Sequence, residues 1–137
     1  MTADEIRQKL ALVATNLPEA VKQGIIHPDY QHNDPLLPPE LQHTMTSAAA
    51  YAMGANVFMR SFPDLTNEIV WAVVENDMSA MRWFNSGTFT GEPFYGVEPN
   101  GKKVEFFGMT MFRWKDGQVV EGATLFDSVN FNAQLKS

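Results

Sequence analysis

RWFNSGTFTGEPFYGVEPNGKKVEFFGMTMFRWKDGQVVEGATLFD, residues 82–127, decides the fold of this 137-residue chain. An aromatic-rich tract runs into Gly87-Thr88-Phe89-Thr90-Gly91, a Gly/Pro-rich loop follows, and two further apolar tracts meet at Asp116-Gly117. β-Branched and aromatic residues suit a pleated, half-buried surface, and Asp-Gly between such runs is a hairpin signal. The stretch predicts an antiparallel sheet whose last strand ends on Asp127, a lone carboxylate after an apolar run. Just upstream, Ile69-Val70-Trp71-Ala72-Val73-Val74 supplies one more strand. Strands over about 69–74, 81–89, 104–114 and 119–126, with turns at Asn76-Asp77, Pro99-Asn100-Gly101 and Asp116-Gly117, make a four-stranded meander.

The first half has a helical period instead. Ile6, Leu10, Val13 and Leu17 recur at helical spacing, and Asp4 and Glu5 sit at the end of the helix dipole that favours acidic groups. Pro18 interrupts this helix and Gly24 ends it. Residues 27–39, HPDYQHNDPLLPP, contain four Pro and are read as an ordered polar-aromatic loop. From about Glu40 to Phe62 an alanine-rich run returns to helix, with Tyr51, Phe58 and Phe62 directed at whatever it covers, and Pro63-Asp64 stops it. A short helix capped by Asp127 or Ser128 runs to Leu135. Helices first and a sheet second define an α+β fold, in one domain over residues 1–137.

Composition excludes several function classes. A chain of this length with 45% hydrophobic residues buries a core of its own. It has no Cys, so thiolate nucleophiles, thiolate metal sites and disulfides are out of reach. A formal charge of −6 gives no broad attraction to nucleic acid or to an anionic membrane. The acidic start Met1-Thr2-Ala3-Asp4-Glu5 differs from a secretory signal, and no apolar run is long enough to span a bilayer. A soluble, cytoplasmic protein is expected.

Three sets of residues carry candidate chemistry. Gly96-Val97-Glu98-Pro99-Asn100-Gly101-Lys102-Lys103 fits the first seven places of a phosphate-binding loop. Lys103 replaces its Ser/Thr and a strand, not a helix, follows, so this is read as an ordinary loop. His27, His32 and His43 lie near Asp29 and Asp34 without the compact spacing of a ligand set, and no metal is expected. Tyr30-Gln31-His32-Asn33-Asp34-Pro35 packs varied hydrogen-bonding groups into a Pro-pinned segment, which suits either a polar-ligand site or a surface loop held by its own turns. Glu121 and Asp127, six residues apart on one uninterrupted strand, share a face with Val119, Ala123 and Leu125. That face is expected to look inward, where desolvation raises a carboxyl pKa and suits it to proton transfer. The alternatives are a strand-edge salt bridge for Glu121 and a helix cap for Asp127.

Taken together and in order, Tyr30 to Pro35, Phe62-Pro63-Asp64-Leu65, Arg82-Trp83, Gly87 to Gly91, Pro99-Asn100-Gly101-Lys102, Phe112 to Glu121, and Asp127 with Gln134-Leu135 resemble the SnoaL-like polyketide cyclases of the NTF2-like superfamily. The resemblance covers nearly the whole chain. It implies a cone-shaped barrel with N-terminal helices packed on a curved antiparallel sheet, a pocket between them, and cofactor-free chemistry, usually an intramolecular aldol closure. It further implies pairing of two copies through the outer sheet face, with Trp71, Trp83, Trp114, Met109 and Met111 supplying the apolar surface of a homodimer. The chain departs from the family where Phe89 replaces a frequent His and Gly122-Ala123 replace His-Trp, which implies a lost polar ring and a gain in pocket volume.

The expected function is therefore abstraction of a proton next to a carbonyl, leading to cyclisation or isomerisation of an apolar polyketide- or terpenoid-like ligand. Asp127 is the expected base, Glu121 tunes it, and His32 with Tyr30 and Asn33 orients the carbonyl. Phe58, Arg82, Phe89 and Phe112 complete the expected substrate contacts. A non-catalytic binding domain, or an epoxide or ester hydrolase working through a carboxylate-activated water, are the competing readings, because one fold serves many chemistries.

Overall fold

The computed structural model describes residues 1–34, 39–41 and 45–137. Helix α1 (Ala3–Thr15) begins with a capping box, in which the Glu5 amide donates to the Thr2 hydroxyl and the Thr2 amide donates to the Glu5 carboxylate. Its apolar stripe, Ile6, Leu10 and Val13, is buried. Asn16 caps helix α2 (Leu17–Lys22), and Pro18 stands in the first turn, where its missing N–H has no intrahelical role. The helix expected from about Glu40 begins later. A 3₁₀ turn occupies Pro39–Leu41 and helix α3 runs Ala48–Ser61 from a Ser47 cap. Helix α4 (Ser128–Lys136) is capped by Asp127.

The expected meander is present as β2 (Thr66–Glu75), β3 (Met78–Thr88), β4 (Lys103–Lys115) and β5 (Gln118–Phe126), all antiparallel neighbours. Asp116 and Gly117 turn the β4–β5 hairpin with positive φ at both positions, the conformation that a tight two-residue turn requires. The curved sheet does not close on itself. Helix α1 packs on β2 and α3 on β1, with α2 bridging them. Phe131 of α4 inserts among Phe58, Phe94, Phe106 and Phe126, at 4.8 Å from the Phe106 ring. No helix among the described residues is long and apolar enough to cross a membrane.

Two sequence expectations fail here. The segment read as a loop contains a strand, β1 (Ile26–Asn33), which pairs parallel with β5 and makes the order β1-β5-β4-β3-β2. Pro28 falls where the register shifts between Ile26 and Gln31, at an edge of the sheet, which is where a strand tolerates Pro. The outer-face assignment of tryptophans is also wrong for two of three. Trp83 and Trp114 are buried on the inner side, donating to Thr110 and Ser79 respectively, whereas Trp71, Met109 and Met111 are exposed.

Strand β5 carries the irregularity that matters most. Arg113 pairs with Glu121 but Trp114 pairs with Val119, so one residue of β5 has no counterpart and the alternation reverses there. Val119 faces the core, and beyond the bulge Gly122 is buried while Glu121, Ala123 and Leu125 are exposed. A Cβ on Gly122 would stand 2.1 Å from the Tyr30 hydroxyl and 2.6 Å from the Phe112 ring. The volume expected from a small residue at this position is thus filled by Tyr30, and the close approach of β1 to β5 depends on it.

Gly122→Ala should accordingly destabilise the fold by about 1–3 kcal/mol, the usual range for overpacking a filled core. Thermal unfolding is the check, with a fall of several degrees expected. An unchanged melting temperature would show that Tyr30 is free to move aside.

Candidate active site

A cavity of about 790 Å³ lies between the helices and the inner face of the sheet. Its walls are largely apolar, with Val13, Leu17, Phe58, Met81, Phe106 and Phe126 among them. Polar groups enter it from β1 (His32), from the residue that follows (Asp34), from α3 (Tyr51) and from the inward positions of the sheet (Asn67, Asn85, Thr110 and Thr124). A mostly apolar chamber with a few convergent polar groups is the usual form of a small-molecule site.

His32 is the centre of the polar cluster. Alternation along β1 points Tyr30 and His32 inward, and the Tyr30 hydroxyl lies 2.7 Å from His32 Nδ1. The imidazole stacks on Tyr51 at 4.4 Å, and Tyr51 in turn lies 5.0 Å from the Tyr30 ring. Only 8% of His32 is exposed, and burial pulls its pKa from 6.5 down to about 4, so the ring is neutral at pH 7. Burial raises the Tyr30 hydroxyl far above its ordinary range, and burial followed by the nearby charge of Asp34 does the same to Tyr51. Both phenols therefore keep their protons.

The other sequence-predicted residues are dispersed. Phe58 lines the cavity. Phe89 and Phe112 are fully buried core, Phe89 against Phe62 and Phe112 against Tyr30 and Trp114. Arg82 points to the outer face, with its guanidinium 4.4 Å from the Phe107 ring centre. Asn33 is exposed, since β1 alternation turns it away from His32. Glu121 lies on the outer face because of the β5 bulge, and its carboxylate accepts from Arg113 Nε at 3.1 Å. Asp127 is exposed, accepts the Asn130 amide at 3.1 Å as the α4 cap, and is not among the cavity-lining residues. The inward placement expected for both carboxylates is thus corrected, because the bulge in β5 breaks the period of two that would have carried them to the Val119 face.

Asp34 is the carboxylate that lines the cavity among the described residues. It stands in the His32-Asn33-Asp34 tract, and nothing local distinguished it from a turn former. Asn67, Asn85, Thr110 and Thr124 were also missed, although their inward parity is readable once the strand bounds are known. Among the described residues no three His, Asp or Glu side chains are grouped to hold a metal ion. His27 Nδ1 accepts the Asp29 amide, and His43 lies outside the described residues.

The family model for SnoaL-like polyketide cyclases matches residues 6–135. A search among curated proteins returned no match. Among solved structures, IdmH, a candidate polyketide cyclase from Streptomyces antibioticus, is 25% identical with a TM-score of 0.81, over 96% of this chain and 98% of that one. A candidate SnoaL-like polyketide cyclase from Jannaschia sp. CCS1 is 17% identical with a TM-score of 0.83, over 98% and 93%. AclR, a candidate hydroxylase from Streptomyces galilaeus, is 23% identical with a TM-score of 0.77, over 97% and 79%. The motif resemblance, the cone of helices on a curved sheet and the match over nearly the whole length agree, and the chain belongs to the SnoaL-like polyketide cyclase family.

Proposed function

We propose that the protein catalyses cofactor-free, aldol-type ring closure or isomerisation of a mostly apolar carbonyl compound of polyketide or terpenoid type. The observation that carries this reading is the buried, neutral His32, backed by Tyr30 and placed with Asp34 on the wall of a largely apolar cavity. The buried Tyr30 hydroxyl has Nδ1 of His32 as its partner, and a buried O–H needs an acceptor, which leaves the imidazole proton on Nε2. That N–H donates to the substrate carbonyl. Asp34, and not Asp127, removes the proton from the adjacent carbon. The resulting enolate oxygen is stabilised by Nε2–H, the enolate carbon attacks a second carbonyl of the same molecule, and the new alkoxide takes the proton back from Asp34. A neutral donor in a dry site stabilises an oxyanion without reorganising solvent. A Cys-free chain fits a reducing compartment, and the cytoplasm is the location that goes with this reading.

Solvent deuterium exchange at the carbon next to the carbonyl, followed over a panel of ketones and esters, tests the assignment. Asp34→Asn is expected to slow exchange by about 10² to 10⁴-fold, and His32→Ala to slow it comparably. Asp127→Asn should leave exchange near wild type, since Asn is nearly as good a helix cap. Wild-type exchange in Asp34→Asn removes Asp34 from the chemistry. Exchange by Asp127→Asn falling to the level expected of a lost base would return the role to Asp127. A folded wild type that exchanges no compound in the panel favours the non-catalytic binding reading.

The neutral state of His32 also predicts a pH dependence of stability. Between pH 6.5 and about 4 the unfolded chain binds a proton at His32 that the folded chain refuses, so stability falls as pH falls through that window. The whole effect amounts to about 3 kcal/mol at most. Melting temperatures measured from pH 7.5 to 4 should drop more steeply for wild type than for His32→Gln. Parallel curves would exclude this residue as the source.

A homodimer belongs to the same reading. The outer sheet face exposes Trp71, Val73, Met109, Met111 and Leu125 together, an apolar surface of the kind that pairs copies of a chain. Light scattering at micromolar concentration is expected to give twice the 15.4 kDa chain mass. A species of 15.4 kDa throughout would overturn it.

A further inference from the structure

Asn67 on β2 and Asn85 on β3 face one another as a cross-strand pair on the inner side of the sheet. Both line the cavity, and the Oδ1 of each is buried with no hydrogen-bond partner in the protein. Asn85 is only 9% exposed. The other polar groups of the sheet wall are engaged: Trp83 Nε1 donates to Thr110 at 3.0 Å, and the Thr110 and Thr124 hydroxyls are 2.8 Å apart. Native proteins satisfy nearly all their buried polar atoms, so two adjacent exceptions on residues that line one chamber require an explanation. Leucine has almost the shape of asparagine and would fill the same wall without the penalty.

We infer that Asn67 and Asn85 form a subsite for a hydroxyl group of the substrate, at the end of the cavity away from His32. This deepens the cyclase reading and rests on it for the placing of the carbonyl. The chemistry follows from the carboxamide. Whichever way each amide is turned, it offers a carbonyl acceptor or an N–H donor, and a hydroxyl both donates and accepts, so it matches every combination of the two. An ether or ketone has no proton to donate to Oδ1, and an apolar ring edge has no polar atom at all.

The distance between the sites restricts the ligand further. His32 lies on β1, and the order β1-β5-β4-β3-β2 puts Asn85 three strands away and Asn67 four. With strands about 4.8 Å apart, the separation along the sheet is roughly 14–19 Å, shortened across the concave face. A molecule that touches both ends is an elongated, several-ringed ketone carrying a hydroxyl far from the reacting carbonyl. The apolar walls between the two ends suit its fused rings.

Estrone, a four-ringed ketone with a phenol at the opposite end, and 3-deoxyestrone, which lacks that hydroxyl, are matched probes. Binding is measured by calorimetric titration of wild type, Asn67→Leu and Asn85→Leu, with melting curves alongside. Wild type is expected to prefer estrone by about tenfold or more, and each variant to lose most of that preference while retaining 3-deoxyestrone. Both variants should melt at or above the wild-type temperature, because each removes a buried, unpaired polar group. Variants that melt lower would show that the two amides hold the fold by pairing with each other, and would overturn the subsite. So would an equal affinity of wild type for the two probes, a preference that survives in both variants, or binding of neither. Exchange by Asp34→Asn and His32→Ala is read independently, so loss of the hydroxyl preference with those results intact overturns the subsite alone, and the converse overturns the chemistry alone.

Discussion

The contact of the Tyr30 hydroxyl with the bare backbone of Gly122 is the constraint on which the site depends. Strand β1 is an edge strand, paired on one side with β5 through a broken register, and the Gly122 position meets its inward face. With no side chain at residue 122, the Tyr30 hydroxyl comes close to β5, its ring meets Phe112 edge-on, and the hydroxyl lies within reach of His32 Nδ1. One missing Cβ therefore lets the strand seat and leaves the Tyr30 hydroxyl within hydrogen-bond reach of the imidazole. The polar ring absent at residues 122 and 123 is not replaced by empty space. A tyrosine from the neighbouring strand occupies that position.

The bulge in β5 separates surface from chamber. Upstream of it the strand buries Val119, and downstream it buries Gly122 and turns Glu121 out to Arg113, which also approaches Asp77 at 3.5 Å. The charges gathered there are exposed and of small energetic consequence. On the other side of the sheet nearly every polar group is satisfied internally: Trp114 on Ser79, Trp83 on Thr110, Tyr30 on His32. Such satisfied pairs rigidify a wall, and unsatisfied ones mark where a ligand completes it. Among the described residues the inner face thus divides into a wall made by its own bonds and one patch, Asn67 and Asn85, whose buried amide oxygens have no partner in the protein.

Burial governs the electrostatics of the chamber. It keeps His32 uncharged and the two tyrosines protonated, so these three rings bring no charge to a chamber whose lining also includes Arg60. This is a sensible environment for an enolate, whose negative charge is met by oriented dipoles and not by a counter-ion that would need its own solvation. Asp34, close enough to act on Tyr51, lines the same cavity and is the base in the proposed reaction.

The local sequence determined the parts of this protein that rest on local physics. Asp116-Gly117 and Asn76-Asp77 announce their hairpins, the alternation of Val104, Phe106, Phe112 and Trp114 gives β4 its buried face, and Ile6, Leu10 and Val13 mark the stripe of α1. The ordered motifs were sufficient for the family, and the family for the cone. Strand β1 was not legible, because its ladder with β5 joins residues about ninety positions apart and leaves no periodic mark on a segment rich in Pro and polar groups. Glu121 was misplaced for a related reason: a single extra residue reverses a pleat, and only the partner strand reveals it. Asp34, Asn67 and Asn85 look in sequence like ordinary turn or strand residues. The tertiary structure alone decided that they line one chamber, since what makes a polar side chain chemically significant is the loss of its water, and burial is a property of the whole fold.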